Sequence, residues 1–262
     1  MQTTPTIRVL TTTAPDVDWV QYAQSNGVEI VTGDEAINAC AAEQDEVRAV
    51  VLAAEGPAFC AGADLSEYVD ADPVDIMSRR MDLLWGAVAQ CKKPIIAAVQ
   101  GYALGGGCEL AMHADIVVAG RSAKFGQPEV KVGIMPGGGA TQRLTRAVGK
   151  FQAMNILLRG EPFTAEHAHA MGLVSELVED ADVASRAIAI AQDLVHLPAV
   201  ALRLIKESVL ASMNQPLDAG LQFESTRNPH EDFYFDDEMV EFVQYFSTGR
   251  YGNGMDVELI IN

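Results

Sequence analysis

Three short stretches of this chain, "RAVVLAAE" (48–55), "KPIIAAVQGYA" (93–103) and "DIVVAG" (115–120), are apolar through their middles without alternating with polar residues. A strand with one wet face alternates; a strand apolar on both faces needs cover on both, which is the situation of a parallel sheet between layers. Helix-spaced segments separate these runs. "DEAINACAAEQDEV" (34–47) places Ala36, Ile37, Cys40 and Ala41 on one face, and "DPVDIMSRRMDLLWGAVAQC" (72–91) begins with Asp72 as N-cap and Pro73 at the first helical position. Strands alternating with helices predict a largely parallel α/β layer. A short strand is expected at 27–32 and another in "AKFG" (123–126), whereas "GPAFCAGADLSEY" (56–68), with its two glycines and proline, breaks regularity. Periodicity alone leaves the winding of these strands open.

After "MPGGGATQ" (135–142) the pattern becomes mostly helical, with helices expected at 138–147, 150–159, 164–171, 180–195, 199–213 and roughly 217–247, and one strand at 173–179. The predicted organisation is an α/β core over 1–197 and a helical region over 198–262. A chain of 262 residues, 49% hydrophobic, supports one large core. No apolar run reaches the ~18 residues of a membrane span, and "MQTTPTIRVLTTT" has no basic flank leading into an apolar segment. A cytoplasmic protein is therefore expected. Cys40, Cys60, Cys91 and Cys108 have apolar flanks and form no CxxC pair, which predicts buried reduced thiols. Cys60 and Cys108 lie in glycine-rich stretches, where a reactive thiol is also conceivable.

A net charge of −18 argues against nucleic-acid and anionic-membrane partners. The sequence has no GxxxxGK[ST], no GxGxxG after a strand, no HExxH and no GxSxG. The five histidines are scattered, and His167 and His169 of "HAH" fall on different sides of a helix, so no metal site is expected. What remains is two glycine-rich junctions and two glutamates. Gly105, Gly106 and Gly107 stand where a helix begins, bringing bare backbone N–H groups toward a ligand oxygen. A second donor is available around Ala63 in "FCAGADL". Two such donors make an oxyanion hole for a carbonyl that becomes an enolate. Glu109 follows "LGGGC" and Glu129 follows "FGQP". Carboxylates in apolar surroundings have raised proton affinity and suit acid–base work. Taken residue by residue, Glu109 as a dipole-favoured helix-start residue and Glu129 as a loop cap are equally open.

The segments "VVLAAEGPAFCAGADLSEY", "AVQGYALGGGCELAMHADIVVAG", "AKFGQPEVKVGIMPGGGATQRLTRAVGK" and "LLRGEPFTAEHAHAMGLVSELV" resemble the enoyl-CoA hydratase/isomerase (crotonase) family over roughly residues 47–213. The resemblance implies a spiral of ββα units, a C-terminal helical region that supports a homotrimer or dimer of trimers, and acyl-CoA thioester substrates of fatty acid metabolism. It implies no cofactor beyond the coenzyme A of the substrate, and no metal. On this pattern Ala63 and Gly106 match the oxyanion-hole N–H groups and Glu109 and Glu129 the two catalytic glutamates. Ala61, Asp64, Leu65, Gly105 and Gly137 match substrate-binding positions, Gly137 near the bound water. Isomerase members typically keep only the carboxylate matching Glu129, so the pair implies a hydratase, converting a 2-enoyl thioester into a 3-hydroxyacyl thioester. An isomerase or thioester hydrolase on the same scaffold, and a non-catalytic binding relative, are the competing readings. Residues 11–38 do not carry the family's N-terminal element, and Ser66 stands where basic residues are common. Coenzyme A and a carrier-protein thioester are thus both open, with coenzyme A favoured because a charge of −18 opposes docking of an acidic carrier. Lys92, Lys93, Arg143 and Arg146 are the candidate phosphate partners, and Lys206 and Arg227 are read as solvated surface.

Overall fold

The computed structural model describes residues 6–11, 28–32, 47–54, 56–63, 72 and 81–227. The helix expected at 34–47, the first part of that expected at 72–91 and the end of that expected at 217–247 lie outside the described residues, as do Asp64, Leu65 and Ser66.

The apolar runs form the middle of a six-stranded sheet. Its strands are β1 (Thr6–Thr11), β2 (Val28–Thr32), β3 (Val47–Leu52), β5 (Ile95–Val99), β7 (Ile116–Gly120) and β10 (Glu176–Val178), ordered β10-β7-β5-β3-β1-β2. Every pairing in it is parallel. A second sheet, ordered β4-β6-β8-β9, contains β4 (Ala58–Cys60), β6 (Tyr102–Leu104), β8 (Lys124–Gly126) and β9 (Phe163–Thr164). The chain therefore steps from sheet to sheet, β3 to β4, β5 to β6, β7 to β8, and each step lands beside its predecessor. This is the winding that periodicity left open.

Burial on both faces explains the missing alternation. Val50, Leu52, Ile95, Ala97, Val99, Val117 and Ala119 enter one core with residues of the second sheet such as Ala103 and Phe125. Their neighbours Ala49, Val51, Ile96, Ala98 and Val118 enter another, closed by Val183, Ala187, Ile188, Ala191 and Val195. Those five lie on one face of a helix, Val183–Val195, which packs on β3 and β5.

Local chemistry corrects two expectations. "KPIIAAVQGYA" is not one strand: the backbone turns at Gly101 (φ 59°), where a Cβ would lie 1.8 Å from the Pro57 carbonyl oxygen. Gln100 braces that corner, its Nε2 donating to the Ala54 and Gly56 carbonyls at 3.0 and 2.9 Å. "GPAFCAGADLSEY", expected to be irregular, contributes β4, and β1 is a strand that the sequence pattern did not single out.

In chain order the described helices are α1 (Met81–Ala89), α2 (Gly106–Ala111), α3 (Ala140–Arg159), α4 (Ala165–Ala170), α5 (Val183–Val195), α6 (Ala199–Ser212) and α7 (Leu217–Arg227). The two helices expected at 138–159 form the single span α3, broken where Gly149 takes non-helical angles (φ 78°, ψ 163°). The chain divides into two units, Met1–Asn214, which includes α6, and Gln215–Asn262. Among the described residues no single helix is long and apolar enough to cross a membrane.

Candidate active site

The site grows from the end of β6. Gly105, in a positive-φ conformation (54°), turns the chain into α2, and its N–H donates to the Gly126 carbonyl at 2.9 Å. Gly107 lies so near β4 that a Cβ would stand 1.9 Å from the Cys60 carbonyl oxygen, so only glycine fits. That contact pins the start of α2 against the 61–63 loop. Gly62 (φ 93°) packs there, and a Cβ on it would lie 3.4 Å from the Gly106 nitrogen. Gly106 is the first residue of α2, and an N–H at that position has no intrahelical acceptor. Ala63, exposed, follows Gly62 directly, and Ala61 is exposed on its other side. The structure thus brings the two expected donor segments, 61–63 and 105–107, together.

Glu109 sits one turn into α2 and is 2% exposed. Its Oε1 accepts two backbone hydrogen bonds, from Gly138 at 2.7 Å and from Ala140 at 2.9 Å. Ala140 opens α3, so the carboxylate meets the N–H groups at that helix's start. Burial raises its proton affinity, the two backbone donors work the other way, and the nearby Glu129 charge raises it further. Glu129 lies on a 3-10 turn, Pro128–Val132. Its carboxylate faces Gly105, where a Cβ would lie 3.0 Å from Oε1, and desolvation raises its proton affinity too. With the buried Gln127 amide oriented to satisfy both of its ends, its nitrogen donates to both Glu129 oxygens, at 3.0 and 3.1 Å. The Glu129 carboxylate thus faces Gly105 from the 3-10 turn, while that of Glu109 is held from α2 against Gly138 at the start of α3, and the Glu129 charge adds to the rise in Glu109's proton affinity.

Several contributors escaped sequence reading. Gly137 is exposed with open space where its Cβ would be, and it is Gly138, the next residue, whose N–H holds Glu109. "GGGA" entering a helix was a usable signal, since helix starts carry unpaired N–H groups. Gln127, Trp85 and His113 carried no signal. Trp85 reaches in from α1 and stacks on His113, with ring centroids 5.2 Å apart. His113 is buried, and burial, with Arg143 nearby, drives its imidazole down to about 4. Burial pushes the Cys108 thiol up to about 12, which removes a reactive thiolate there.

The basic residues divide. Lys206 is not solvated surface: its Nζ donates to the Lys93 carbonyl and to Asp115 Oδ2, both at 2.7 Å, and its side chain is 9% exposed. Arg146 donates to the Met213 carbonyl and to Gln142, Arg143 is half-buried beside Gly139, and Arg227 lies over the Phe223 ring. Among the described residues no group of three His, Cys, Asp or Glu side chains could hold a metal ion.

The family described as enoyl-CoA hydratase/isomerase matches residues 23–247. The chain is similar to the "Probable enoyl-CoA hydratase" of Rhizobium meliloti, 46% identical over 180 residues covering 68% of this chain and 69% of that one. It is similar to the 2,3-dehydroadipyl-CoA hydratase of Escherichia coli, 41% identical over 181 residues, 69% of this chain and 71% of that one. Among solved structures, an enoyl-CoA hydratase subunit I from Geobacillus kaustophilus superposes with a TM-score of 0.76 at 37% identity, covering 84% of this chain and 86% of the other.

Proposed function

The chain belongs to the enoyl-CoA hydratase/isomerase family, and from that premise we propose that Glu109 and Glu129 jointly hold the water that an enoyl-CoA hydratase adds across its substrate's double bond. The activity is hydration of a 2-enoyl-CoA to the 3-hydroxyacyl-CoA. The observation that carries the division of labour is the anchoring of one Glu109 oxygen by the Gly138 and Ala140 N–H groups. Oε1 is fixed, which leaves Oε2 as the oxygen to accept a proton from water.

The thioester oxygen lies against the N–H groups of Gly106 and Ala63. As water oxygen bonds to C3, the double-bond electrons move to the thioester and the oxygen takes on enolate character. Donors already in place stabilise that charge without reorganising. Glu109 takes the proton from water while Glu129 gives one to C2. Sharing through the next water returns the proton to Glu129. Raised proton affinity serves both roles, making Glu109 a stronger base and Glu129 an acid that stays loaded closer to neutral pH. Gly105 brings bare backbone against the Glu129 carboxylate, and Ala61, Asp64, Leu65 and Gly137 complete the proposed substrate contacts.

The deciding experiment is incubation with crotonyl-CoA and longer enoyl-CoAs, following loss of the enoyl-thioester absorbance. Absence of any hydration by folded protein sinks the mechanism. Assembly as a homotrimer or dimer of trimers is supported by α6, none of whose residues is buried and whose Ile205 and Val209, with Met213 just beyond, recur every fourth position on an exposed face. Light scattering that finds only monomer at micromolar concentration contradicts this.

A further inference from the structure

Two aromatic rings beside the glutamates have no part in the proton transfers. The Trp85 and His113 rings stack with planes 19° apart. The edge of Trp85 lies near both halves of the site. A Cβ on Gly138 would lie 2.7 Å from Trp85 Cε2 and Cζ2 and 2.8 Å from Glu109 Oε2, while one on Gly106 would lie 3.8 Å from Cζ2. The indole therefore borders both Gly106, where the thioester oxygen docks, and Gly138, beside which lies the oxygen of Glu109 that works on C3. His113 backs it, and is tied to the same turn as the catalytic carboxylate, because its Nδ1 donates to the Glu109 main-chain oxygen at 2.8 Å. A neutral imidazole has a single N–H, and this bond puts it on Nδ1.

We infer that Trp85 is the wall against which the acyl carbons beyond C3 pack, that it sets the enzyme's selectivity for acyl length, and that His113 is the positioning residue that holds it. The inference rests on the hydratase reading above. With the oxygen at Gly106 and C3 before Glu109, the next carbon emerges beside whatever flanks that carboxylate, and Trp85 flanks it. An indole is large and rigid, with two rotatable bonds, and backing by a second ring removes its freedom to swing aside. Short straight acyl groups fit such a wall, and long chains must displace it.

The test compares kcat/KM for decenoyl-CoA and crotonyl-CoA. Trp85→Leu is expected to raise the decenoyl-to-crotonyl ratio about tenfold, the lower end of what methylene-sized changes in an apolar pocket produce. His113→Ala is expected to move the ratio in the same direction by a smaller factor. His113→Phe, which keeps a ring for the stack, restores it to the wild-type value. An unchanged ratio in folded Trp85→Leu overturns the wall, and an unchanged ratio in His113→Ala overturns the positioning role. Should Trp85→Leu fail to fold, Trp85→Phe serves the same comparison. Failure of the hydratase reading shows separately, as wild-type protein that hydrates neither substrate. The wall is then judged by the relative affinities of butyryl-CoA and decanoyl-CoA for wild type and variant, which require no turnover.

Discussion

A single methyl group at Gly138 probes the whole catalytic corner. The backbone there has no positive φ to forbid alanine, so only space opposes it. The new Cβ would lie 2.7 Å from the Trp85 ring and 2.8 Å from Glu109 Oε2, whereas ordinary contact begins near 3.4 Å. Ring and carboxylate must each withdraw by roughly 0.6 Å in a site with no slack. Withdrawal of Glu109 also loosens the two bonds to its Oε1, at 2.7 and 2.9 Å. A misplacement of about 1 Å can reduce a rate ~100-fold, so Gly138→Ala is expected to lower kcat by ten- to a hundred-fold. Overpacking should also destabilise the fold by about 1–3 kcal/mol. KM should move by no more than a few-fold, because no thioester donor is touched. Gly86→Ala is the control: it lies beside Trp85 on α1, and its Cβ meets Gln90 Nε2 at an ordinary 3.6 Å. Crotonyl-CoA hydration, with thermal melts on the same samples, reads both effects. A kcat for Gly138→Ala within twofold of wild type refutes the claim that Glu109 placement depends on that glycine.

Glu109→Gln and Glu129→Gln should each lower hydration by about 10²–10⁴-fold, and the double variant far less than the product of the two, because both act on one water; rates multiply only if the carboxylates work independently. The same variants carry a stability signature. Both carboxylates bind protons more tightly in the folded chain, so their contribution to stability falls as pH rises from the ordinary carboxylate range through their raised values. At pH 7 each Gln variant should therefore melt at or above wild type, and the gain should vanish below the ordinary carboxylate range; melts across pH 3–8 check this. Lys206→Met removes the link from α6 to Asp115 and the Lys93 carbonyl, leaving the Asp115 carboxylate with the Ile95 N–H but without its cation. Because Asp115 is partly solvated, the substitution should destabilise by roughly 1 kcal/mol in urea unfolding.

The central strands of the main sheet were legible, though β1 was not, because burial on both faces leaves a mark in composition: β3, β5 and β7 are apolar at neighbouring positions that feed opposite cores. The second sheet was less so. β4, β6 and β9 are two or three residues long, too short for any period, and β5 and β6 were read as one strand because the separating turn depends on Gly101 meeting Pro57, a contact 44 residues away in sequence. The glutamates and the two glycine loops were legible as residue types beside breaks in regular structure. Gly138 and Ala140 were not assigned to Glu109, since they meet it only when the start of α3 folds back onto α2. Trp85 and His113 looked like ordinary helix and core residues, and what distinguishes them is their mutual stacking and the glycine floor beneath the indole.

The double anchoring of one Glu109 oxygen has a consequence for chirality. A carboxylate whose plane is free to tilt could carry its water toward the substrate from more than one direction. In the proposed mechanism Oε1 is fastened to Gly138 and Ala140 and the thioester oxygen is held at Gly106, so water meets a single prochiral face of C3. Hydration then yields one enantiomer of the 3-hydroxyacyl thioester. By microscopic reversibility the enzyme dehydrates only that enantiomer, so a racemic 3-hydroxybutyryl-CoA should be resolved, one hand consumed and the other left in solution.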